Sequence, residues 1–404
     1  MRLKPFVAWR PDPDVVSRVA SPPYDVVDTP TARRIAEGNP HSFLHVVRPE
    51  IDLPPETHPY DDSVYETGLR NLEAMMRDGV LRQDDAPALY LYRQVIDDHA
   101  QVGVVALCHA EDYEADLIRK HEKTLKAKED DRTRHIDTLS AHTGPVFLTY
   151  RDDPHIDAVV EAAMKSEPLY DFTAPDGVRH TVWRSAESQP LVDAFRSIPL
   201  SYVADGHHRA ASAARVARLR RERDPAPTGD RDDEWFLSVL FPAKQLHILP
   251  YNRLVLDLNG MAVSAFLDAV GEVFEIGGNA DGHPRTPGEI GLFVGNAWHR
   301  LHWDAASVED PVEGLDVSRL QEKVLGPILG IHDVRTSDRI EFVGGIYGTK
   351  VLEARVRAGA GAAFSMVPVS VDQLMAIADA GRIMPPKSTW FEPKLRSGLF
   401  VHRF

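Results

Sequence analysis

Ile198-Pro199-Leu200-Ser201-Tyr202-Val203-Ala204-Asp205-Gly206-His207-His208-Arg209 changes character part-way along. The segment up to Ala204 reads as a strand. Residues 210–223 are rich in Ala, Leu and Arg and read as a strong helix. Asp205 and Gly206 therefore occupy a strand-to-helix turn. An entering helix presents amide N–H groups without intrahelical acceptors, together with partial positive charge, and both suit an anion. Gly206 lets the backbone come close to a ligand. His207, His208 and Arg209 stand on the first helical turn, within reach of phosphate oxygens or a reacting proton. The bland alternative makes Asp205 a plain cap with solvated histidines. An acid beside two histidines and an arginine is more than helix initiation requires. A shared metal on His207 and His208 is disfavoured, because adjacent helical residues point apart.

Working outward, strand candidates are Ala88–Val95, Val102–Leu107, Val146–Tyr150, Leu200–Ala204, Trp235–Phe241 and Ala363–Val369. Tyr65, Leu69, Leu72 and Met76 share one helical face, with Gly79 as the stop. A short helix runs from Thr31 to Glu37, after Thr29-Pro30 and before Gly38. Ser370 and Gln373 form a capping box for a helix that ends at Gly381. Loops are expected at Pro49–Asp62, Asp224–Asp233 and Gly277–Gly288. Strands interleaved with helices indicate a mixed α/β fold.

With 46 Lys and Arg against 61 Asp and Glu, the 404-residue chain carries a formal charge of −15. That excess disfavours nucleic acid and anionic membranes as partners, while a few local cations suffice for one phosphate chain. Cys108 is the sole cysteine and lies in an apolar run, which reads as a buried structural thiol. No apolar stretch approaches a membrane span and the start has no signal-peptide pattern, so the expected compartment is the cytoplasm.

Ile118 to Arg132 is heavily charged and reads mainly as solvated helix surface, as does the Arg-rich stretch Arg215–Arg223. Within it, Arg119 can neutralise phosphate charge and Glu122 can accept a hydroxyl proton. Ser21-Pro22-Pro23-Tyr24-Asp25-Val26 is a rigid corner that either packs or contacts a ligand through Tyr24 and Asp25. Met384-Pro385-Pro386-Lys387-Ser388-Thr389-Trp390-Phe391-Glu392-Pro393-Lys394 repeats the device. There Lys387, Ser388 and Thr389 either touch phosphate or belong to a packed tail. Walker-type loops, His-Glu-x-x-His, Gly-x-Ser-x-Gly and paired-cysteine zinc motifs are missing from the sequence.

Five segments together resemble a bacterial and archaeal family catalogued as a domain of unknown function. They are Ala20–Val26, Asn39-Pro40-x-Ser42-Phe43-Leu44-His45, His121-Glu122-x-Thr124, Ala204–Arg209 and Met384–Thr389. The Asp-Gly-His-His-Arg segment further resembles the free serine kinases of the ParB/sulfiredoxin superfamily. That resemblance implies a ParB/sulfiredoxin-like nucleotide-binding core over residues 101–245. It would lie between an N-terminal segment, 1–100, and a C-terminal α/β region, 246–404.

It also implies roles. Asp205 and His208 become catalytic, Asp205 doubling as the residue that positions a metal. Gly206, His207 and Arg209 become phosphate contacts, joined by Arg119 and Lys387. Glu122 becomes the base, and Tyr24, Asp25 and His121 become substrate contacts. The implied activity is a nucleotide-dependent kinase acting on the hydroxyl of free L-serine or a similar molecule, with ATP or ADP as donor and Mg²⁺ as cofactor. Two alternatives stand beside it. One is a nucleotide-binding switch, the other a metal-dependent hydrolase using His121, His135, His207 and His208.

Overall fold

The computed structural model describes residues 1–224, 230–278 and 281–404. The expected loops Asp224–Asp233 and Gly277–Gly288 each include residues that lie outside this set. The chain divides into two units, Met1–Leu246 with Pro393–Phe404, and His247–Glu392. Segments 1–100 and 101–245 share the first unit, because strands from both enter one sheet.

That sheet has nine strands: β1 Leu3–Lys4, β2 Tyr90–Ile96, β3 His99–His109, β4 Ile118–Arg119, β5 Val146–Tyr150, β6 Tyr170–Thr173, β7 Arg179–Arg184, β8 Ser201–Asp205 and β9 Trp235–Pro242. Their spatial order is β4-β8-β5-β9-β3-β2-β7-β6, with β1 beside β3. Most pairs are antiparallel, but β8 runs parallel to β4 and β9 parallel to β5. Helices of this unit include α1 Thr29–Ala36, α2 Asp62–Arg77, α3 Lys126–Leu139, α4 Pro154–Ala163 and α5 His207–Arg223.

Alternation along β3 explains one sheet face. Val104, Ala106 and Cys108 join a core with Leu148, Ile156, Phe195, Val203 and Ala213. Burial pushes the Cys108 thiol up to about 12, so it is an inert packing residue. A second core gathers the N-terminal helices, with Phe43, Leu44, Leu72, Met75 and Leu139 at its centre.

The Arg-rich stretch is only partly a solvated face: Arg218, Glu222 and Arg223 are exposed, but Arg215 and Arg220 are half-buried against a neighbouring helix. Helix α5 lies against α3, and the charged rows of the two helices meet. Arg215 pairs with Asp130 at 2.6 Å, while Arg220 and Arg223 both reach Asp137, at 3.0 and 2.8 Å. Each helix looks solvated when read alone because its partner for those charges lies some 85 residues away.

In the second unit six antiparallel strands follow the order β11-β13-β12-β15-β10-β14. They are β10 Tyr251–Val255, β11 Glu275–Gly277, β12 Glu289–Val294, β13 Ala297–His302, β14 Ile340–Gly344 and β15 Ala362–Met366. Helices α6 Val263–Gly271, α7 Gly348–Arg357 and α8 Val371–Asp379 accompany them. Ser370 and Gln373 form the expected capping box on α8. Among the described residues no helix is long and apolar enough to cross a membrane.

Candidate functional site

Two neighbouring parallel strands build the site. In β4 and β8, Ile118 faces Ser201 and Arg119 faces Tyr202, so both chains leave the sheet on the same side. Beyond β4 come His121 and Glu122; beyond β8 come Asp205, Gly206 and α5. A register shift between Val203 and Asp205, opposite β5, re-aims the chain just before the turn. Gly206 adopts φ 89°, ψ 34°, the left-handed region that glycine enters without cost. Helix α5 has no side-chain cap, whereas Asp28, Asp61 and Asp153 cap α1, α2 and α4.

The Asp205 carboxylate is engaged at both oxygens. Gly206 N–H donates to Oδ1 at 2.8 Å, and Lys394 Nζ donates to Oδ2 at 2.9 Å. Burial alone would raise this carboxyl, but the charges of Lys394 and Arg209 outweigh it and hold Asp205 well below the usual carboxylate range. Lys394 therefore already places a cation against Asp205, on a side of the carboxylate where a metal ion could otherwise bind. Among the described residues no group of three or more His, Cys, Asp or Glu is placed to hold a metal.

Arg209 is buried and folds back over the turn: a Cβ on Gly206 would sit 2.9 Å from its guanidinium carbon. It donates to the Pro145 carbonyl, and its Nη2 lies 3.6 Å from Asp25 Oδ2, while its Nε has no partner. His207 and His121 are also buried and meet edge to face, ring centroids 4.4 Å apart. Burial pushes His121 down to about 4, and burial together with His121 pushes His207 well below 6.5, so both rings are neutral near pH 7. His207 Nδ1 lies 3.8 Å from Glu122 Oε2, and its Nε2 has no partner.

The remaining candidates divide. His208 accepts the Leu125 amide at Nε2, 3.0 Å away, which ties the turn to the start of α3. Tyr24 lies under the Arg132 guanidinium, 4.2 Å from ring centroid to guanidinium carbon. Together with Arg132, His135, His142, Arg209 and Ser397 it lines a small cavity of about 30 Å³. Of the motif, Arg209 alone lines that cavity. His121, expected at the substrate, is 2% exposed and packs on His207 instead. Arg119 sits half-buried on the edge strand β4. Lys387 belongs to the second unit, where its ammonium lies 5.3 Å from the centre of the Tyr251 ring. His135 Nε2 faces the Val46 carbonyl at 3.0 Å, so the four histidines form no ligand set for a hydrolytic metal.

Lys394 is the residue that sequence reasoning passed over. It closes the Pro-rich segment whose first lysine drew attention, and nothing local marks it as Asp205's partner. With two cations, Arg209 and Lys394, against three carboxylates, Asp205, Asp25 and Glu122, the cluster is net negative rather than basic. Each cation is aimed by a carboxylate.

The SPPYD corner, the His-Glu pair and the Asp-Gly-His-His-Arg turn thus meet at one sheet edge. The chain belongs to the family described as "Protein of unknown function (DUF1015)", whose sequence profile matches residues 3–318. No curated protein matches it. Solved structures similar to this DUF1015 chain include a free serine kinase variant in complex with AMP, at TM-score 0.39 and 10% identity over 73% of this chain and 92% of that one. Another is SbnI with a C-terminal truncation from Staphylococcus aureus, at TM-score 0.40 and 12% identity over 74% and 87%. A conserved hypothetical protein from Pyrococcus furiosus aligns at TM-score 0.38 and 11% identity over 74% and 95%.

Proposed function

We propose that this DUF1015 protein binds the phosphates of ATP or ADP at the entrance of α5 and transfers a phosphoryl group to the hydroxyl of a small molecule such as free L-serine. The observation that carries this reading is the parallel pairing of β4 with β8, which sets Glu122 beside the uncapped turn. The α5 amides and Arg209 supply donors for phosphate oxygens. Glu122 is 37% exposed beside His207, so an acceptor hydroxyl can approach it. In the transfer the hydroxyl oxygen bonds to the terminal phosphorus while the bond to the leaving nucleotide oxygen breaks. Glu122 takes the hydroxyl proton, and positioning with charge stabilisation lowers the barrier. No step is assigned to Mg²⁺ at Asp205, beside which Lys394 already supplies a cation.

Incubation with serine and ATP or ADP, followed by mass spectrometry for phosphoserine, tests the reading. Nucleotide binding without a phosphorylated acceptor would leave a nucleotide-binding switch. No binding of either nucleotide would end both readings.

A further inference from the structure

We propose that Lys394 is the phosphate-contacting cation of the turn, occupying at Asp205 the place a metal ion would take, and that the C-terminal segment exists in part to deliver it. The proposal rests on the reading above in taking the ligand to be a chain of phosphates.

The delivery is structural. A lysine side chain loses much rotamer freedom when its head is held, so fixing the head needs a fixed stem. Lys394 has one. Its carbonyl accepts from Gln94 Nε2 at 2.9 Å, and Gln94 Oε1 in turn accepts from Gln101 Nε2 at 3.0 Å. Both amides are 0% exposed, on the adjacent strands β2 and β3. Burying such groups is costly, and Gln101 Oε1 is left without a partner. A buried polar relay that ends on the backbone of one residue positions that residue.

The following residues are anchored as well. Arg396 donates to His180 Nε2 at 3.2 Å, and the other nitrogen of that ring meets Tyr92 Oη at 2.7 Å. Ser397 exchanges two backbone hydrogen bonds with Ser21, which begins the SPPYD corner. Gly398 lies so close to Phe43 that a Cβ there would come within 2.6 Å of the ring. The segment is therefore stitched to the sheet and to the N-terminal corner, and the Lys394 head, 15% exposed, is held at the turn.

A ligand is indicated independently by what remains unmet there. Arg209 Nε and His207 Nε2 are buried without partners, on the first turn of a helix that has no capping side chain. The unmet Arg209 donor and the partial positive charge of the helix entrance suit an oxyanion there. Lys394 already stands at Asp205, the residue that opens the turn. A phosphate chain entering there meets a protein cation without needing a metal on that carboxylate.

The test uses the full-length protein and inorganic tripolyphosphate, measured by calorimetry in EDTA and again with Mg²⁺, with adenosine as an uncharged control. Wild type is expected to bind tripolyphosphate in EDTA. Lys394→Met should weaken that binding by tenfold or more, and Lys394→Arg should recover most of it. Adenosine affinity should not change, which a merely structural defect would not spare. The proposal is overturned by a wild type that binds tripolyphosphate only with Mg²⁺, by no binding at all, or by Lys394→Met binding as tightly as wild type. Tripolyphosphate binding that depends on Lys394, with neither ATP nor ADP bound, would uphold the lysine and remove the nucleotide reading.

Discussion

Lys394 and Asp205 are 189 residues apart in sequence and 2.9 Å apart in the fold. The pair joins the last segment of the first unit to the turn at the mouth of α5. It also gives that turn a cation no local motif announces. The consequences of this arrangement separate residues that react from residues that hold.

Glu122→Gln keeps size and polarity but removes the base. Phosphorylated product should form at least roughly 10²-fold more slowly, with nucleotide affinity little changed. Turnover and dissociation constants measured side by side check this. Equal loss in both would make Glu122 a binding residue.

Arg209→Ala removes a guanidinium that lies over Gly206 and beside Asp25. Nucleotide affinity should drop by about 1.5–3 kcal/mol, the range for a charge-assisted hydrogen bond. Arg209→Lys should recover little, because the bond to Pro145 and the approach to Asp25 use separate arms of the fork. Calorimetric titration of both variants decides the point.

Gly206→Ala forces a side chain into φ 89°, against the Arg209 guanidinium. The left-handed backbone alone costs about 1–2 kcal/mol. The variant should melt at a lower temperature and bind phosphate more weakly, since relief of the clash moves Arg209. An unchanged melting curve and affinity would refute the tight turn.

His121 and His135 are held neutral by burial, each down to about 4, and His180 down to about 3. The unfolded chain binds these protons near pH 6.5, the folded chain only at much lower pH. Stability is therefore complete above about pH 6.5 and is lost as the pH falls toward about 4. Urea midpoints should decline over that interval, and His135→Gln should flatten the decline. A variant slope as steep as wild type would show that His135 is not one of the groups responsible.

Much was legible from the sequence alone. The β8 turn and the helix after it follow from an apolar run that stops at Asp-Gly before an Ala- and Arg-rich segment. The boundaries of α2, α8 and β5 likewise follow from periodicity, a capping box and a β-rich run. These signals lie within a few residues of the structure they encode, and they suffice for a mixed α/β reading and for the motif turn.

Tertiary structure decided the rest. Whether Arg215–Arg223 faced water or another helix depended on α3 lying against it. His121 read as a ligand contact but became a packing partner of His207, because parallel pairing of β4 and β8 brought the two rings together. Which lysine of the C-terminal segment reached the turn depended on buried amides on β2 and β3, some 300 residues upstream. Local propensity determines how a segment folds. Charge partners and buried polar relays are long-range contacts, and only the closed sheet chooses among them.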